Sequence, residues 1–134
     1  MASARPLRPE WLVKTERVNL GPLTIGAAQC MPQAPPVSAP IRGDEFSQVS
    51  LVRIDDVAIV TWPGEPTTTL GLETRRLAKA AGAREAWVFG LTNDHMAYFT
   101  TPDEYAEGGY EACMTFYGPQ AGQKVLATIE KLLK

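Results

Sequence analysis

Two loops of this 134-residue chain carry side chains that can bind a metal ion. Glu65 stands in a Pro-Gly-Glu-Pro segment directly after an apolar run that ends at Trp62, and Tyr98 closes a polar segment that follows a second apolar run. A carboxylate suits a hard or borderline cation, and a phenol beside such a cation loses its proton far below its usual pKa of about 10. The two residues would hold a cation together if the fold brought both loops to one place.

The same residues also allow plainer roles. An acid at a strand end more often closes a turn or caps a helix, and a tyrosine more often packs with its hydroxyl satisfied. His95, the only histidine, suits metal binding or proton transfer, but one histidine gives no ligand pair and is more often structural. Residue types alone therefore leave a metal site and ordinary packing both open.

The elements that would position the two loops form a strand–helix–strand unit. The predicted strands cover residues 49–54, 57–62 and 85–91, and the predicted helix covers residues 67–81. Asp55-Asp56 predicts a tight turn between the first two strands, and Gly82 is positioned to stop the helix. Strands joined through a helix usually lie parallel, and ligands gather beyond their carboxyl ends. Glu65 and Tyr98 are therefore expected to face one cleft.

The rest of the chain divides into two regions around this unit. Residues 1–44 are rich in proline, which predicts an irregular segment with short strands, including an edge pair of residues 14–20 with 23–29. Residues 45–134 are expected to form an α/β segment with a mixed sheet. A short helix should begin within residues 100–105, and an amphipathic helix over residues 120–133 should pack on the sheet.

Composition excludes several functional classes. Hydrophobic residues make up 45% and charged residues 21%, which is typical of a folded globular domain. The formal net charge is -2 and no long basic run occurs, so nucleic acid is not an expected partner. No apolar run long enough for a membrane span and no export signal is visible, and the localisation stays open. Cys30 and Cys113 lack the close spacing of a zinc or redox motif and are expected to be free thiols rather than a disulfide.

Four short motifs occur in order along the second half of the chain. They are Val-Ala-Ile-Val-Thr-Trp-Pro-Gly-Glu-Pro-Thr-Thr-Thr (residues 57–69), Gly-Leu-Thr-Asn (90–93), Tyr-Phe-Thr-Thr-Pro-Asp-Glu-Tyr (98–105), and Gly-Tyr-Glu (109–111) with Tyr-Gly-Pro (117–119). In this order and spacing the chain resembles the neutral/alkaline ceramidase family, in the C-terminal part of the catalytic domain only. The resemblance covers about half of the chain and hardly touches residues 1–44.

The resemblance implies a catalytic zinc held by two histidines, one glutamate and one tyrosine, with a water activated to attack the ceramide amide. Glu65 and Tyr98 match the glutamate and tyrosine ligands, and Tyr110 matches a tyrosine that stabilises the amide oxygen as negative charge develops. Nothing here matches the two histidines. Zinc is therefore expected only if a second polypeptide, or an oligomer, completes the site.

Three functions remain open on the sequence. The first is a C-terminal segment or subunit of a ceramidase-like zinc amidohydrolase of N-acyl sphingoid lipids, inactive alone, which predicts an exposed apolar sheet face or edge. The second is a non-catalytic interaction or assembly module that keeps the scaffold; the retention of Glu65, Tyr98 and Tyr110 argues against it. The third is a small hydrolase using His95 with Asp94 or Glu65, which lacks a recognisable nucleophile turn.

Overall fold

The computed structural model describes residues 9–23 and 44–134. The strands are β1 (Trp11–Asn19), β2 (Phe46–Ile54), β3 (Val57–Thr61), β4 (Glu65–Pro66), β5 (Glu85–Phe89) and β6 (Tyr98–Phe99). The helices are α1 (Thr68–Ala80), α2 (Pro102–Glu107), α3 (Tyr110–Cys113) and α4 (Ala121–Leu133). The expected α/β class, with a mixed sheet and a C-terminal helix, is confirmed.

The main sheet has four strands in the order β1-β2-β3-β5. Strand β2 runs antiparallel to both β1 and β3, and β5 lies parallel to β3. Asp55 closes the β2–β3 hairpin with a φ of 51°, a left-handed conformation that aspartate tolerates better than most residues. Helix α1 connects β3 to β5, with Thr67 at its N-cap, and Gly82 follows its end with a φ of 89°. The predicted hairpin and strand–helix–strand unit are both confirmed.

The N-terminal strand differs from the expectation. Strand β1 has nine residues and pairs along its whole length with β2, so it is longer than the short strand expected. Most of residues 23–29, the predicted partner of this strand, and the Pro-rich loop predicted after them lie outside the described residues. A ladder with β2 is a contact distant in sequence, which local alternation cannot reveal.

The hydrophobic core lies between one face of the main sheet and the two long helices. Helix α4 contacts β1 and β2, and helix α1 contacts β5 and α4. Val125, Ile129 and Leu132 of α4 are buried, which confirms the predicted amphipathic face. The largest fully buried side chains of the core are Trp62 and Phe99, which lie at the end of the sheet nearest the two loops of interest.

The opposite face of the main sheet carries apolar side chains that are exposed or half-buried. The apolar residues on this face, which we call the outer apolar face, are Trp11, Val13, Val52, Ile54, Val57, Ile59, Trp87 and Phe89. Val13, Val52, Ile59 and Trp87 stand directly opposite one another and form a row across all four strands. Val13 is 51% and Trp87 is 52% exposed. The expectation of an exposed apolar sheet face is confirmed.

The described part of the chain holds no helix with the length and apolar character of a membrane span.

Candidate active site

Strands β4 and β6 bring Glu65 and Tyr98 side by side. The two strands form a small parallel sheet in which Glu65 lies directly opposite Tyr98. The Glu65 backbone N–H donates to the Ala97 carbonyl at 2.8 Å, and the Thr67 N–H donates to the Phe99 carbonyl at 3.0 Å. The predicted convergence of the two residues, which are far apart in sequence, is therefore present in the fold.

The close approach of the two loops depends on two glycines. A Cβ atom at Gly64 would lie 2.3 Å from the Ala97 carbonyl oxygen and 2.8 Å from the Phe99 ring, and a Cβ at Gly90 would lie 2.9 Å from the Gly64 carbonyl oxygen. Real Cβ contacts essentially never fall below 3.0 Å. In the Pro-Gly-Glu segment, glycine therefore stands where the chain packs directly against the backbone of the other loop, and the carboxylate follows at the next residue.

The loop between β5 and β6 is held in an unusual backbone conformation. Leu91, Asn93 and Ala97 all have positive φ, at 52°, 71° and 58°. This region costs an L-residue roughly 1–2 kcal/mol. Hydrogen bonds to the Glu65 loop offset the cost, since Leu91 N–H donates to the Gly64 carbonyl at 2.9 Å and Met96 N–H donates to the Pro63 carbonyl at 2.7 Å. The loop after β3 and the loop after β5 therefore hold each other in place. Backbone conformations of this strained kind cluster at functional sites.

Trp62 forms the floor beneath the paired strands. It is fully buried, and its ring meets the Phe99 ring edge-to-face at a centroid distance of 5.6 Å. The indole N–H donates to the Thr74 hydroxyl of α1 at 3.1 Å. Trp62 and Phe99 precede and follow the residues of interest, so this packed pair fixes the backbone at both.

The carboxylate of Glu65 acts on the phenol of Tyr98. The side-chain hydrogen bond to Glu65 raises the pKa of Tyr98, and partial burial and the negative charge of Glu65 add to it. A phenol of the usual pKa of about 10 is already protonated at neutral pH, and this shift makes its proton harder to remove in the absence of a cation. A bound cation would act in the opposite direction, so binding through Tyr98 would release a proton.

Tyr110 lies at the rim beside Tyr98. The two rings meet edge-to-face with centroids 5.6 Å apart and an interplanar angle of 77°. Tyr110 is 64% exposed, so its hydroxyl is accessible to a molecule entering from solvent. The three residues that the sequence singles out thus form one contiguous set, Glu65–Tyr98–Tyr110.

An open cleft of about 460 Å³ lies beside Glu65 and Tyr98. Its lining includes four acids, Glu65, Glu104, Glu107 and Glu111, together with Tyr98. The volume is within the range of small-molecule sites. At the back of the cleft, Thr100 is buried and its hydroxyl oxygen has no hydrogen-bond partner.

Glu104 differs from the other acids of the cleft in being fully engaged. Its Oε2 accepts from the Thr67 hydroxyl at 2.7 Å and from the Thr101 backbone N–H at 2.8 Å, and its Oε1 accepts from the Thr69 hydroxyl at 2.7 Å. The Glu104 N–H in turn donates to the Thr101 hydroxyl, which completes a capping box at the start of α2. Burial raises the pKa of the Glu104 carboxyl, but these hydrogen bonds outweigh it and leave the pKa below the usual value of 4.5.

Residues 36–126 match the model of the family described as neutral/alkaline non-lysosomal ceramidase, N-terminal. The chain belongs to this family. It is 40% identical over 91 residues to the neutral ceramidase of Mycobacterium tuberculosis, an alignment that covers 66% of this chain and 14% of the relative. The neutral ceramidase of Drosophila melanogaster is 36% identical over 90 residues, covering 63% of this chain and 13% of that protein.

Solved ceramidase structures share the fold. The crystal structure of neutral ceramidase from Pseudomonas aeruginosa superposes with a TM-score of 0.77 at 19% identity, covering 92% of this chain and 28% of that one. A ceramidase complexed with C2 gives 0.73 at 18% identity, covering 92% and 30%. This ceramidase-family chain thus spans a small part of the length of its relatives, and in the solved structures the same fold is continued by a much longer polypeptide.

His95 and Cys113 do not join Glu65 and Tyr98 in the candidate site of this ceramidase-family chain. His95 is exposed, and the two carboxylate oxygens of Asp94 accept from the Ser47 hydroxyl at 2.9 Å and the His95 backbone N–H at 3.2 Å. These bonds give Asp94 a structural role and do not favour an Asp94–His95 pair. Cys113 is disulfide-bonded, so the expectation of a free thiol is wrong for this residue; Cys30 lies outside the described residues.

The donor set fits part of a zinc shell. Across residues 9–23 and 44–134, no three His, Cys, Asp or Glu side chains converge in a way that could hold a metal ion. Glu65 and Tyr98 offer two oxygen donors side by side, whereas catalytic zinc usually has three protein ligands and a water. These two oxygen donors could therefore supply only part of a zinc coordination shell.

Proposed function

We propose that this chain supplies half of the active site of a ceramidase-like zinc amidohydrolase, which cleaves the amide of N-acyl sphingoid lipids once a second polypeptide brings the histidine ligands. The observation that carries the proposal is the pairing of Glu65 with Tyr98 across the β4–β6 ladder. A pure scaffold has no need to expose a carboxylate and a phenol together at the mouth of a cleft. Family membership and the position of both residues within the family motifs support the same function.

Each residue has a defined task in the completed site. Glu65 and Tyr98 would hold the zinc, which when bound polarises a carbonyl and lowers the pKa of a water. Glu65 also raises the pKa of the Tyr98 phenol in the absence of a cation. Tyr110, exposed at the rim, would donate a hydrogen bond to the amide oxygen as negative charge develops on it.

The outer apolar face is the proposed docking surface for the second polypeptide. A row of partly exposed apolar side chains runs across four strands on the face away from the helices, and contiguous apolar patches of this kind mark protein–protein contact sites. The matched relatives extend far beyond the stretch that this chain covers, which makes the histidine-bearing portion of the same family the appropriate occupant. A second copy of this chain is the other occupant that the experiment must separate.

The test is reconstitution. The chain is purified alone and together with the histidine-bearing portion of the Mycobacterium tuberculosis neutral ceramidase, and zinc content and ceramide hydrolysis are measured on both. We expect one zinc and turnover only in the complex. Glu65→Gln and Tyr98→Phe should lose zinc, whereas Glu107→Gln, which alters an exposed acid of the same cleft, should retain it.

Two outcomes would contradict the proposal. Stoichiometric zinc and turnover by the chain alone would refute the incomplete site, and full zinc in the Glu65→Gln complex would refute the ligand assignment. Replacing Trp87 and Phe89 with serine should abolish the complex if the outer apolar face is the docking surface; if it instead abolishes a homodimer, the occupant is a second copy.

A non-catalytic assembly module is the second candidate. The exposed position of His95 and the exposed apolar sheet face favour it, because a module that only docks needs the face and not the chemistry. In the same experiment this function predicts a stable complex that neither binds zinc nor hydrolyses ceramide.

A further inference from the structure

We infer that Glu104 is a positioning residue that holds the Glu65 and Tyr98 segments together by bonding to both. Its relevance to catalysis rests on the proposed function, whereas the positioning itself does not. Thr67 follows Glu65 by two residues and Thr101 follows Tyr98 by three, and the Oε2 atom of Glu104 accepts from both, at 2.7 and 2.8 Å. One carboxylate oxygen therefore bridges the two chain segments immediately beyond the paired residues.

The ladder between β4 and β6 needs such support. Each strand has only two residues, and a small two-stranded sheet is at best marginally stable by itself. The ladder is fixed from below by the Trp62–Phe99 contact. On the cleft side, the carboxylate of Glu104 connects the two segments through its hydrogen bonds to Thr67 and Thr101.

Helix capping alone does not account for the bonds that Glu104 makes. The capping box of α2 requires only the reciprocal bonds between Glu104 and Thr101. The bonds from the Thr67 and Thr69 hydroxyls cross to a different element, 37 and 35 residues away, at 2.7 Å each. Thr67 is moreover the N-cap residue of α1 and makes no side-chain cap bond there, so its hydroxyl serves Glu104 instead.

The experiment separates the hydrogen bonds from Thr67 and Thr69 to Glu104 from the capping of α2 by Glu104. Thr67 and Thr69 are replaced together with valine, which keeps the branched shape and removes both hydroxyls while leaving the Thr101–Glu104 capping box intact. The readout is amide hydrogen exchange of the full chain by NMR. The reporters are the Glu65 and Thr67 N–H groups, which form the ladder bonds, compared with the amides of β2 and β3.

We expect exchange at Glu65 and Thr67 to accelerate about tenfold or more, since each lost hydrogen bond changes an equilibrium severalfold. Exchange in β2 and β3 should not change. The double serine variant, which restores both hydroxyls, should return the ladder to wild-type exchange. Glu104→Ala, which also removes the bond from the Thr101 N–H, should accelerate exchange at least as much as the valine pair. Glu107→Ala, which removes a charge from the same cleft, should leave the ladder as it is.

Two results would overturn the inference. Unchanged exchange at Glu65 and Thr67 in the valine pair would reduce Glu104 to a helix cap, and an equal acceleration of all amides would reduce it to a contributor to global stability. These measurements need neither zinc nor a partner, so they are independent of whether the reconstituted complex is active. In an active complex, the valine pair should weaken zinc binding, and the serine pair should restore it.

Discussion

Replacing Gly64 with alanine tests whether the close contact of the two loops creates the site. The added Cβ would meet the Ala97 carbonyl oxygen at 2.3 Å, well below the 3.4 Å at which ordinary contact begins. The obstructing atom is backbone, so no side-chain rotation relieves the clash, and β6 must move away from β4. We expect this overpacking, with loss of the Glu65–Ala97 hydrogen bond, to reduce the free energy of unfolding by about 2 to 4 kcal/mol.

Gly71→Ala is the matched control for this substitution. Gly71 lies in helix α1, and a Cβ there meets nothing within 4 Å. Alanine at this position should raise the free energy of unfolding by about 0.5 to 1 kcal/mol, because glycine is a poor helix former. The same chemical change thus has opposite signs at two sites seven positions apart.

Urea unfolding of both variants, followed by circular dichroism, measures the difference. NMR contacts between the Tyr98 and Tyr110 rings, which lie 5.6 Å apart in the wild type, report separately on the local geometry. A Gly64→Ala variant that is as stable as the wild type and keeps its ladder hydrogen bonds would refute the role assigned to backbone contact at Gly64.

Three further changes have defined outcomes. Trp62→Phe should lower the free energy of unfolding by roughly 1 to 3 kcal/mol, because it leaves a small cavity and removes the hydrogen bond to Thr74. The tryptophan emission should shift to the red because the remaining Trp11 and Trp87 are exposed, and an unshifted spectrum would contradict the burial of Trp62. Thr101→Ala should cost about 1 kcal/mol in urea unfolding by removing the α2 cap, and Thr101→Ser should cost less; equal losses would count against the cap. The pKa of Glu104 is lower in the folded chain than in the unfolded chain, so its carboxylate stabilises the fold above the unfolded pKa near 4.5, and this stabilisation is lost as the pH falls through the folded pKa. Glu104→Gln should therefore make the free energy of unfolding less dependent on pH in the acid range, and an unchanged pH dependence would contradict the shift.

Local patterns in the sequence predict the elements that place the candidate residues. The Asp55-Asp56 turn, the helix between the two parallel strands and its end before Gly82 are each predicted from residues close in sequence, and each is present in the structure. From a parallel pair of strands joined by a helix, the convergence of Glu65 and Tyr98 follows by the general rule for the carboxyl ends of such strands. That part of the site is therefore predictable without any relative.

The contacts that refine the site are not local and could not be predicted. The Thr101-Pro102-Asp103-Glu104 segment predicts a helix start, but nothing in it indicates that the carboxylate also reaches Thr67. The pairing of β1 with β2 bridges a long Pro-rich stretch whose length carries no information about register. The raised pKa of Tyr98 likewise requires knowing that Glu65 is its ladder neighbour.

Under the proposed function, the exposed apolar sheet face and the pairing of Glu65 with Tyr98 have one common explanation. Phe89 belongs to the outer apolar face and lies at the carboxyl end of β5, directly opposite Thr61 at the end of β3. Glu65 follows Thr61 by four residues, which span at most about 14 Å of extended chain. A polypeptide seated on the outer apolar face therefore lies within one loop length of the cleft, close enough for its own side chains to complete the coordination of a cation held by Glu65. A structure of the complex in which the partner sits on the outer apolar face but its histidines lie too far from Glu65 to share a metal ion would contradict this explanation.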